Sequence, residues 1–217
     1  MASSERKHHR QSIRLPAYDY TQAGAYFVTL CTHRRELLFG QVIDQALVLN
    51  ACGRIAQEEW LASEAIRHEI ELDSFVIMPN HLHGIVWIVQ KTNVGATGWS
   101  PARRNQPSLQ QGHSPTRQSQ PPLQDKPQRP VPKSLGAFIG GYKSAATKRI
   151  NQTRGTPGLP VWQRNYWEHI IRTERALNAI REYIEDNPAC WALDTYNPLS
   201  TKRDPRAVDL WRLLQEP

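Results

Sequence analysis

The stretch Met78-Pro79-Asn80-His81-Leu82-His83-Gly84 separates two apolar runs, residues 75–78 and 85–89. Its Pro-Asn pair favours a tight turn, because proline presets φ and the asparagine side chain bonds to its own backbone. The flanking runs are rich in β-branched and aromatic residues, which predicts two paired strands in the middle of a sheet. The sequence therefore predicts that the fold is built around a buried β-hairpin.

Two histidines follow the predicted turn, separated by one residue. Side chains two positions apart on a strand leave the same face, so His81 and His83 are expected to stand side by side. Two neutral imidazoles can bind one divalent cation if a third ligand comes from elsewhere in the chain. A His-x-His pair is weak evidence by itself, because many such pairs are only partly exposed strand histidines.

The composition favours a polyanionic partner. The chain has 217 residues, with Lys and Arg totalling 27 against 20 Asp and Glu, a net charge of +7. A basic excess of this size suits nucleic acid before a membrane surface. Cys31, Cys52 and Cys190 are isolated, which indicates a reducing compartment. No apolar stretch approaches the roughly 20 residues of a membrane span, and the predicted location is the cytoplasm.

Hydrophobic periodicity predicts the order strand, helix, strand, strand, helix, strand. The predicted strands are residues 26–32, 70–78, 83–89 and 161–163. The two helices between them begin after the N-caps Asn50 and Ser134. A last helix is expected from about Thr173 to Asn187, and residues 208–214 could form a short docking helix. This order predicts an α+β ferredoxin-like or RRM-like β-α-β-β-α-β sandwich, with an antiparallel sheet and helices on one face.

The chain divides into one domain with appended segments. Residues 15–91 and 133–191 are predicted to form that domain. Residues 1–14 are a basic arm in which Arg10 and Arg14 could contact phosphates. Residues 92–132 are dense in Pro, Gln, Ser and Gly and are predicted to be a disordered insertion. Residues 192–217 are assigned as a C-terminal tail.

Tyr142 is the candidate nucleophile. It lies on the apolar face of the second predicted helix, so its hydroxyl is expected to point at the sheet and the histidines. The preceding Gly140 and Gly141 each cost a helix interior roughly 1 kcal/mol relative to Ala, which close backbone approach would explain. The alternatives are that Tyr142 is a core residue and that Tyr166 is the nucleophile. The cationic side chains expected to neutralise DNA phosphates next to it are Lys143, Lys148 and Arg149.

Five segments together resemble one known family. They are Ala25-Tyr26-Phe27-Val28-Thr29, Met78-Pro79-Asn80-His81-Leu82-His83, Gly141-Tyr142-Lys143-Ser144 with Thr147-Lys148, Val161-Trp162-Gln163-Arg164, and Tyr183-Ile184 with Asn187-Pro188. The chain resembles the REP-associated tyrosine transposases, which are IS200-like single-tyrosine HUH endonucleases.

The resemblance implies an enzyme that nicks and rejoins single-stranded DNA beside hairpins. It implies a Mg²⁺ or Mn²⁺ ion on His81 and His83, a covalent 5′-phosphotyrosine and, in some relatives, a homodimer. Relatives usually place a polar metal ligand, Gln or Asn, one turn after the tyrosine. The corresponding residue after Tyr142 is Ala146, which cannot bind a metal. Either the third ligand comes from Glu168, His169 or Asn151, or Tyr142 is not the nucleophile.

Two other functions are compatible with the sequence. An RRM-like module could hold hairpin DNA or RNA on its sheet without catalysis, its histidines being structural. A His-ligated hydrolase of small phosphates is a further possibility, but it would need a closed pocket, and the basic charge counts against it. Only the DNA-nicking enzyme should lose function when His81 or His83 is replaced while folding and DNA binding remain.

Overall fold

The computed structural model describes residues 18–89 and 131–215. The predicted basic arm with Arg10 and Arg14 lies outside the described residues, as does almost all of the predicted insertion. The boundaries proposed for these segments therefore stay predictions.

A four-stranded antiparallel sheet forms the centre of the fold. Its strands are β1 (Gly24–Cys31), β4 (Ile70–Met78), β5 (His81–Ile88) and β6 (Trp167–Ile171), in the order β4-β5-β1-β6. Strands β2 (Gly40–Ile43) and β3 (Ala46–Leu49) form a separate small hairpin. The helices are α1 (Ala51–Ile66), α2 (Leu135–Arg154), α3 (Glu174–Asp186) and α4 (Pro205–Leu214). This arrangement confirms the predicted α+β class and its antiparallel sheet.

The β4–β5 hairpin is the buried centre that the opening stretch predicts. Met78 pairs with His81 across the turn, and His81 and His83 pair with Cys31 and Thr29 of β1 on the other side. Gly84 follows directly, and a Cβ at this position would lie 2.7 Å from the Trp60 ring. The glycine therefore lets α1 approach the strand that carries the histidines.

Helices α1 and α2 cover one face of the sheet, as predicted for the two crossover helices. Their N-caps are Asn50 and Ser134, each accepting a hydrogen bond from the backbone three residues on. The largest apolar side chains of this core are fully or almost fully buried. They are Tyr26, Leu30, Trp60, Leu82, Phe138 and Tyr142.

The opposite face of the sheet is also covered by helices, which corrects the prediction of helices on one face. Successive side chains of a strand point to opposite faces of the sheet, and those that point away from α1 and α2 pack against α3 and α4. Phe27 and Ile85 of the sheet are fully buried against Ile180, Ile184 and Leu210. Residues 205–214, assigned as part of a tail, thus belong to the domain.

The fourth strand of the sheet lies later in the chain than the sequence predicts. Trp162 of the predicted strand makes only an isolated bridge to Thr32, whereas β6 pairs with β1 from Ala25 to Thr29. Polar Glu168 and His169 interrupt the apolar pattern of β6, so hydrophobic periodicity favours the segment of residues 161–163 instead.

Candidate metal centre

The two histidines at the start of β5 lie side by side, as their spacing predicts. The ring centroids of His81 and His83 are 4.5 Å apart, and both side chains are buried. They leave the sheet on the face covered by α3, where the His83 ring is 5.4 Å from that of Phe27. Strand alternation thus brings two ring nitrogens to one point of the interior.

A polar partner of the Nδ1 atom orients each histidine ring. Nδ1 of His81 lies 3.0 Å from Oδ1 of Asn80, whose amide nitrogen donates to the carbonyls of Arg35 and Tyr196. Because that amide nitrogen is the donor, Oδ1 accepts the Nδ1 proton of His81 and Nε2 keeps its lone pair. Nδ1 of His83 lies 2.8 Å from Oγ1 of Thr29. Such partners of the second ring nitrogen are typical of metal-binding histidines.

Asp194 supplies a third ligand atom, which the sequence did not indicate. Its Oδ2 is 3.6 Å from Nε2 of His81, and the ligand atoms of the three buried residues lie within 4.8 Å of one another. Two ligands bound to one cation at about 2.1 Å each are roughly 3 to 4 Å apart. The 3.6 Å separation fits shared coordination, so His81, His83 and Asp194 could hold one metal ion.

The three ligand atoms lack hydrogen-bond partners within the part of the chain that the structure describes. Nε2 of His81, Nε2 of His83 and Oδ2 of Asp194 are all buried and unpaired. The other carboxylate oxygen of Asp194 accepts a 2.6 Å hydrogen bond from the backbone of Tyr196. Leaving a buried polar atom unpaired costs about 1 to 3 kcal/mol, and three that converge on one point need an explanation.

Burial sets the charge state of the site. Desolvation lowers the pKa of His83 to about 3 and that of His81 well below its usual value. Desolvation also raises the pKa of Asp194 to about 6. At pH 7 the group is therefore two neutral imidazoles and one carboxylate, which is the form that binds a divalent cation.

Tyr183 of α3 lies beside this group. Its ring centroid is 5.3 Å from that of His83 and 6.3 Å from that of Phe27. Burial raises the pKa of its hydroxyl, the charges of Asp194 and Tyr196 add to the rise, and the Asn187 side chain acts against it. Asn187 follows Tyr183 by one helical turn, and its buried Oδ1 has no partner among the described residues.

Tyr196 covers the histidines from the other side. Its ring centroid is 4.5 Å from that of His81, and the guanidinium of Arg35 lies 5.1 Å from the same ring. Its backbone bonds to both Asn80 and Asp194. The segment after α3 is therefore part of the site rather than a tail.

The structure does not bring Tyr142 to the histidines. Tyr142 is on the α1–α2 face of the sheet, where its ring packs against Trp60 at 5.0 Å and its hydroxyl donates to the Ala56 carbonyl at 3.1 Å. His83 is on the opposite face. The expectation that this hydroxyl points at the histidines is corrected, because the sheet itself lies between them.

Tyr166, the alternative nucleophile, also lies apart from the two histidines. The same holds for the three residues expected to supply a third metal ligand. Tyr166 packs at the edge of the α1–α2 core, near the ammonium of Lys143. Glu168 pairs with Val28 on that same face, and Asn151 donates to the Leu159 carbonyl. His169 is on the correct face but stacks on Trp167. Neither Glu168 nor His169 belongs to the ligand group with His81 and His83, and Asn151 is on α2, which covers the opposite face of the sheet.

The basic residues of α2 differ in their surroundings. Arg149 forms ion pairs with Glu58 and Glu59 at 2.6 and 2.7 Å, so its charge is already matched. Lys143 is largely buried and donates to the carbonyls of Gln163 and Asn165, and Lys148 is exposed. Their binding to DNA stays a prediction.

The sequence contained one signal for Tyr183. The amide residue Asn187 follows Tyr183 by one helical turn, as in the family pattern of a tyrosine and an amide ligand, whereas Ala146 stands at that position after Tyr142. Asp194 carried no comparable signal, since it stands in an irregular segment after Trp191–Leu193.

Comparisons with known proteins place the chain in a family. No described helix is both long and apolar enough to cross a membrane. A scan against models of known protein families finds no match. A solved REP-associated tyrosine transposase bound to a REP hairpin is similar over 79% of this chain and 70% of its own, with 16% identity and a TM-score of 0.46.

A candidate transposase from Deinococcus radiodurans is similar over 80% of this chain and 95% of its own, with 14% identity and a TM-score of 0.36. Both TM-scores are below 0.5. An uncharacterized protein of Haemophilus influenzae is 36% identical over 187 residues, which cover 86% of this chain and 92% of the relative. The chain therefore belongs to the same protein family as this Haemophilus influenzae protein.

Proposed function

We propose that the protein is a metal-dependent transposase of the REP-associated, IS200-like type, which nicks and rejoins single-stranded DNA beside hairpins. One observation carries the proposal. Three unpaired, buried ligand atoms of His81, His83 and Asp194 converge next to a tyrosine on a neighbouring helix. A histidine pair, a carboxylate and an adjacent phenol are the groups that metal-assisted phosphoryl transfer to tyrosine requires.

The proposed cation is Mg²⁺ or Mn²⁺, held by His81, His83 and Asp194. Imidazole nitrogens suit transition metals and carboxylates suit Mg²⁺ and Mn²⁺, so this mixed set favours Mn²⁺ of the two. When bound, the cation would polarise a non-bridging oxygen of the scissile phosphate and reduce its negative charge. The amide oxygen of Asn187 is a further ligand of the type expected after the nucleophile.

Tyr183 takes the role of nucleophile in this proposal, in place of Tyr142. It is on the same sheet face as the histidines, it is partly accessible, and it has Asn187 one turn later. Tyr196 is also close, but its backbone bonds to Asn80 and Asp194 and its ring lies against His81, which suits a cover for the site. The described residues of a single chain supply every group that the reaction needs.

The reaction follows from these positions. The phenolic oxygen of Tyr183 attacks the phosphorus, the bond from phosphorus to the 3′ oxygen breaks, and a 5′-phosphotyrosine forms. The phenolic proton leaves and the departing 3′ oxygen gains a proton, so no net charge is created. A 3′-hydroxyl then attacks the phosphotyrosine, restores the phenol and rejoins the strand without ATP. The predicted homodimer is not required for this scheme.

The binding-module alternative finds less support. An RRM-like surface reads bases on an open sheet face. Here both faces of the described sheet are covered, one by α1 and α2 and the other by α3 and α4. Structural histidines would also be expected to hydrogen-bond through Nε2. Nε2 of His83 has no such partner among the described residues, and Nε2 of His81 faces only the Asp194 carboxylate at 3.6 Å.

The test is a covalent adduct assay on single-stranded hairpin DNA with Mn²⁺ or Mg²⁺. Wild type, Tyr183→Phe and Tyr142→Phe are compared on a denaturing gel, and each variant loses only one hydroxyl. We expect the adduct to disappear in Tyr183→Phe and to persist in Tyr142→Phe. Loss in Tyr142→Phe alone would assign the reaction to the other sheet face, and a wild type that binds hairpins without forming an adduct would contradict the proposal.

A further inference from the structure

A groove of about 740 Å³ runs between the C-terminal half of α2 and the loop of residues 155–164. Its lining includes the cations Lys143, Lys148 and Arg164 and no carboxylate. A concave surface with charge of one sign concentrates an oppositely charged ligand. The groove is therefore suited to a polyanion.

The walls of the groove are held by specific hydrogen bonds. Asn151 donates to the Leu159 carbonyl at 2.8 Å, and Lys143 donates to the carbonyls of Gln163 and Asn165 at 2.9 and 3.0 Å. Gly155 ends α2 in the left-handed conformation, with φ of 62°, which turns the chain into the loop. These contacts fix the loop against the helix, so the groove is preformed.

The ammonium of Lys143 keeps donor capacity for a ligand in the groove. Lys143 has no carboxylate within ion-pair distance in the described parts of the chain, and burial lowers its pKa to about 8. Its ammonium has three N–H donors, and two are used. An anionic ligand with acceptor oxygens would accept the third N–H of Lys143.

The groove adjoins the metal centre at the end of β1. Gln163 donates its backbone N–H to the Cys31 carbonyl, and Cys31 pairs with His81 on the other side. Two strand spacings separate the loop from the histidine strand, roughly 10 Å, which about three stacked nucleotides at 3.4 Å each would span.

We infer that this groove binds the single-stranded DNA segment next to the scissile phosphate, an inference that rests on the proposed function. Phosphates of the segment lie against Lys143, Lys148 and Arg164, and the strand passes the end of β1 to reach Tyr183. Lys148 and Arg164 are exposed and form no ion pair with a described residue. Their charges are therefore free for a ligand, in contrast to that of Arg149.

The experiment measures how salt weakens binding of a fluorescent oligothymidylate without added metal. Full-length wild type is compared with Lys148→Gln/Arg164→Gln and with Arg149→Gln/Arg212→Gln. Both doubles remove two positive charges, but Arg149 is paired with Glu58 and Glu59, and Arg212 with Asp209. Each phosphate contact contributes about 0.7 to the slope of log affinity against log salt for single strands. We expect the slope to fall by about 1.4 in the first double and to stay unchanged in the second.

Equal slopes in the two doubles would overturn the inference. An equal loss of slope with a blunt duplex of the same length would also overturn it, because the occupant would then be a duplex. The adduct assay on wild type separates the two proposals. An adduct without the slope difference rejects the groove alone, whereas the slope difference without an adduct rejects the nicking reaction and keeps the groove as a DNA site.

Discussion

The two faces of the central sheet are both buried, but they differ in what they bury. On the α1–α2 face the buried phenol of Tyr142 has its hydroxyl bonded to the Ala56 carbonyl, and aromatic rings pack around it. On the α3 face His81, His83 and Asp194 present unpaired polar atoms to one another. The first arrangement stabilises the fold, and the second costs stability that a bound cation would return.

The difference teaches how to rank two tyrosines that look alike in the sequence. Each stands on an apolar helix face. What separates Tyr183 from Tyr142 is the kind of unsatisfied group beside it. The buried unbonded atoms next to Tyr142 are indole N–H donors of Trp60 and Trp162, which cannot bind a cation, whereas those next to Tyr183 are metal-ligand atoms that converge within 4.8 Å of one another. Four changes test this contrast, from the largest expected effect to the smallest.

Replacing a histidine of the centre should have the largest effect. His83→Ala removes one of three ligands, and a cation's stabilisation of phosphoryl transfer is worth several kcal/mol. We expect the adduct rate to fall by roughly a thousandfold, which corresponds to about 4 kcal/mol. His169→Ala is the matched control, because His169 is on the same face of β6 but is not part of the ligand group. An equal loss in both variants would contradict the assignment.

Asp194→Asn should separate stability from function. Burial raises the pKa of Asp194 from 3.8 to about 6 in the folded state, so the folded protein is penalised for ionising it. Two pKa units correspond to about 3 kcal/mol. The penalty begins as pH rises above 3.8 and is complete above about 6. Without added metal, the variant should therefore unfold at higher urea than wild type at pH 7, and the difference should vanish below about pH 4.

Added Mn²⁺ gives the second half of that test. A ligand that binds only the folded state raises the free energy of unfolding. Mn²⁺ should raise the urea midpoint of wild type but not that of Asp194→Asn. A variant that is less stable than wild type at pH 7, or that keeps the full response to Mn²⁺, would show that Asp194 is a structural carboxylate.

The sequence predicted the fold class and the two histidines of the metal centre because both depend on local sequence patterns. Strand alternation places His81 beside His83 wherever β5 lies, and Asn50 and Ser134 cap their helices as expected. Which sheet face a helix covers depends on packing and chain crossing, which no periodicity in α2 or α3 contains. The prediction that Tyr142 faces the histidines failed for that reason.

Asp194 escaped prediction for a different reason. It follows a short 3₁₀ turn in an irregular segment, and its position depends on side-chain bonds from Asn80 to the Tyr196 carbonyl and from the Tyr196 backbone to its own carboxylate. Such contacts join residues 116 positions apart. The predicted domain boundary at residue 191 therefore separates Asp194 from His81 and His83, which lie beside it in the structure.

Thr29→Val tests the support of His83 with a smaller expected effect. Valine keeps the shape of threonine but removes the oxygen that lies 2.8 Å from Nδ1 of His83. Loss of such a partner usually lowers metal affinity by about 10- to 100-fold. Calorimetric titration with Mn²⁺ measures the change, and Thr29→Ser, which retains the hydroxyl, is the control. Wild-type affinity in Thr29→Val would mean that Nδ1 needs no partner.

The smallest effect is expected on the other face of the sheet. Tyr142→Phe removes one hydroxyl and leaves the buried Ala56 carbonyl without that bond, so the free energy of unfolding should fall by about 1 kcal/mol. Urea denaturation measures this, with Tyr183→Phe as its counterpart. Tyr183→Phe should change stability less, because Tyr183 is partly exposed and no described carbonyl accepts a hydrogen bond from its hydroxyl. If Tyr183→Phe instead lowered the free energy of unfolding more than Tyr142→Phe does, the hydroxyl of Tyr183 would be the one that stabilises the fold. The contrast between the two faces of the sheet would then be reversed.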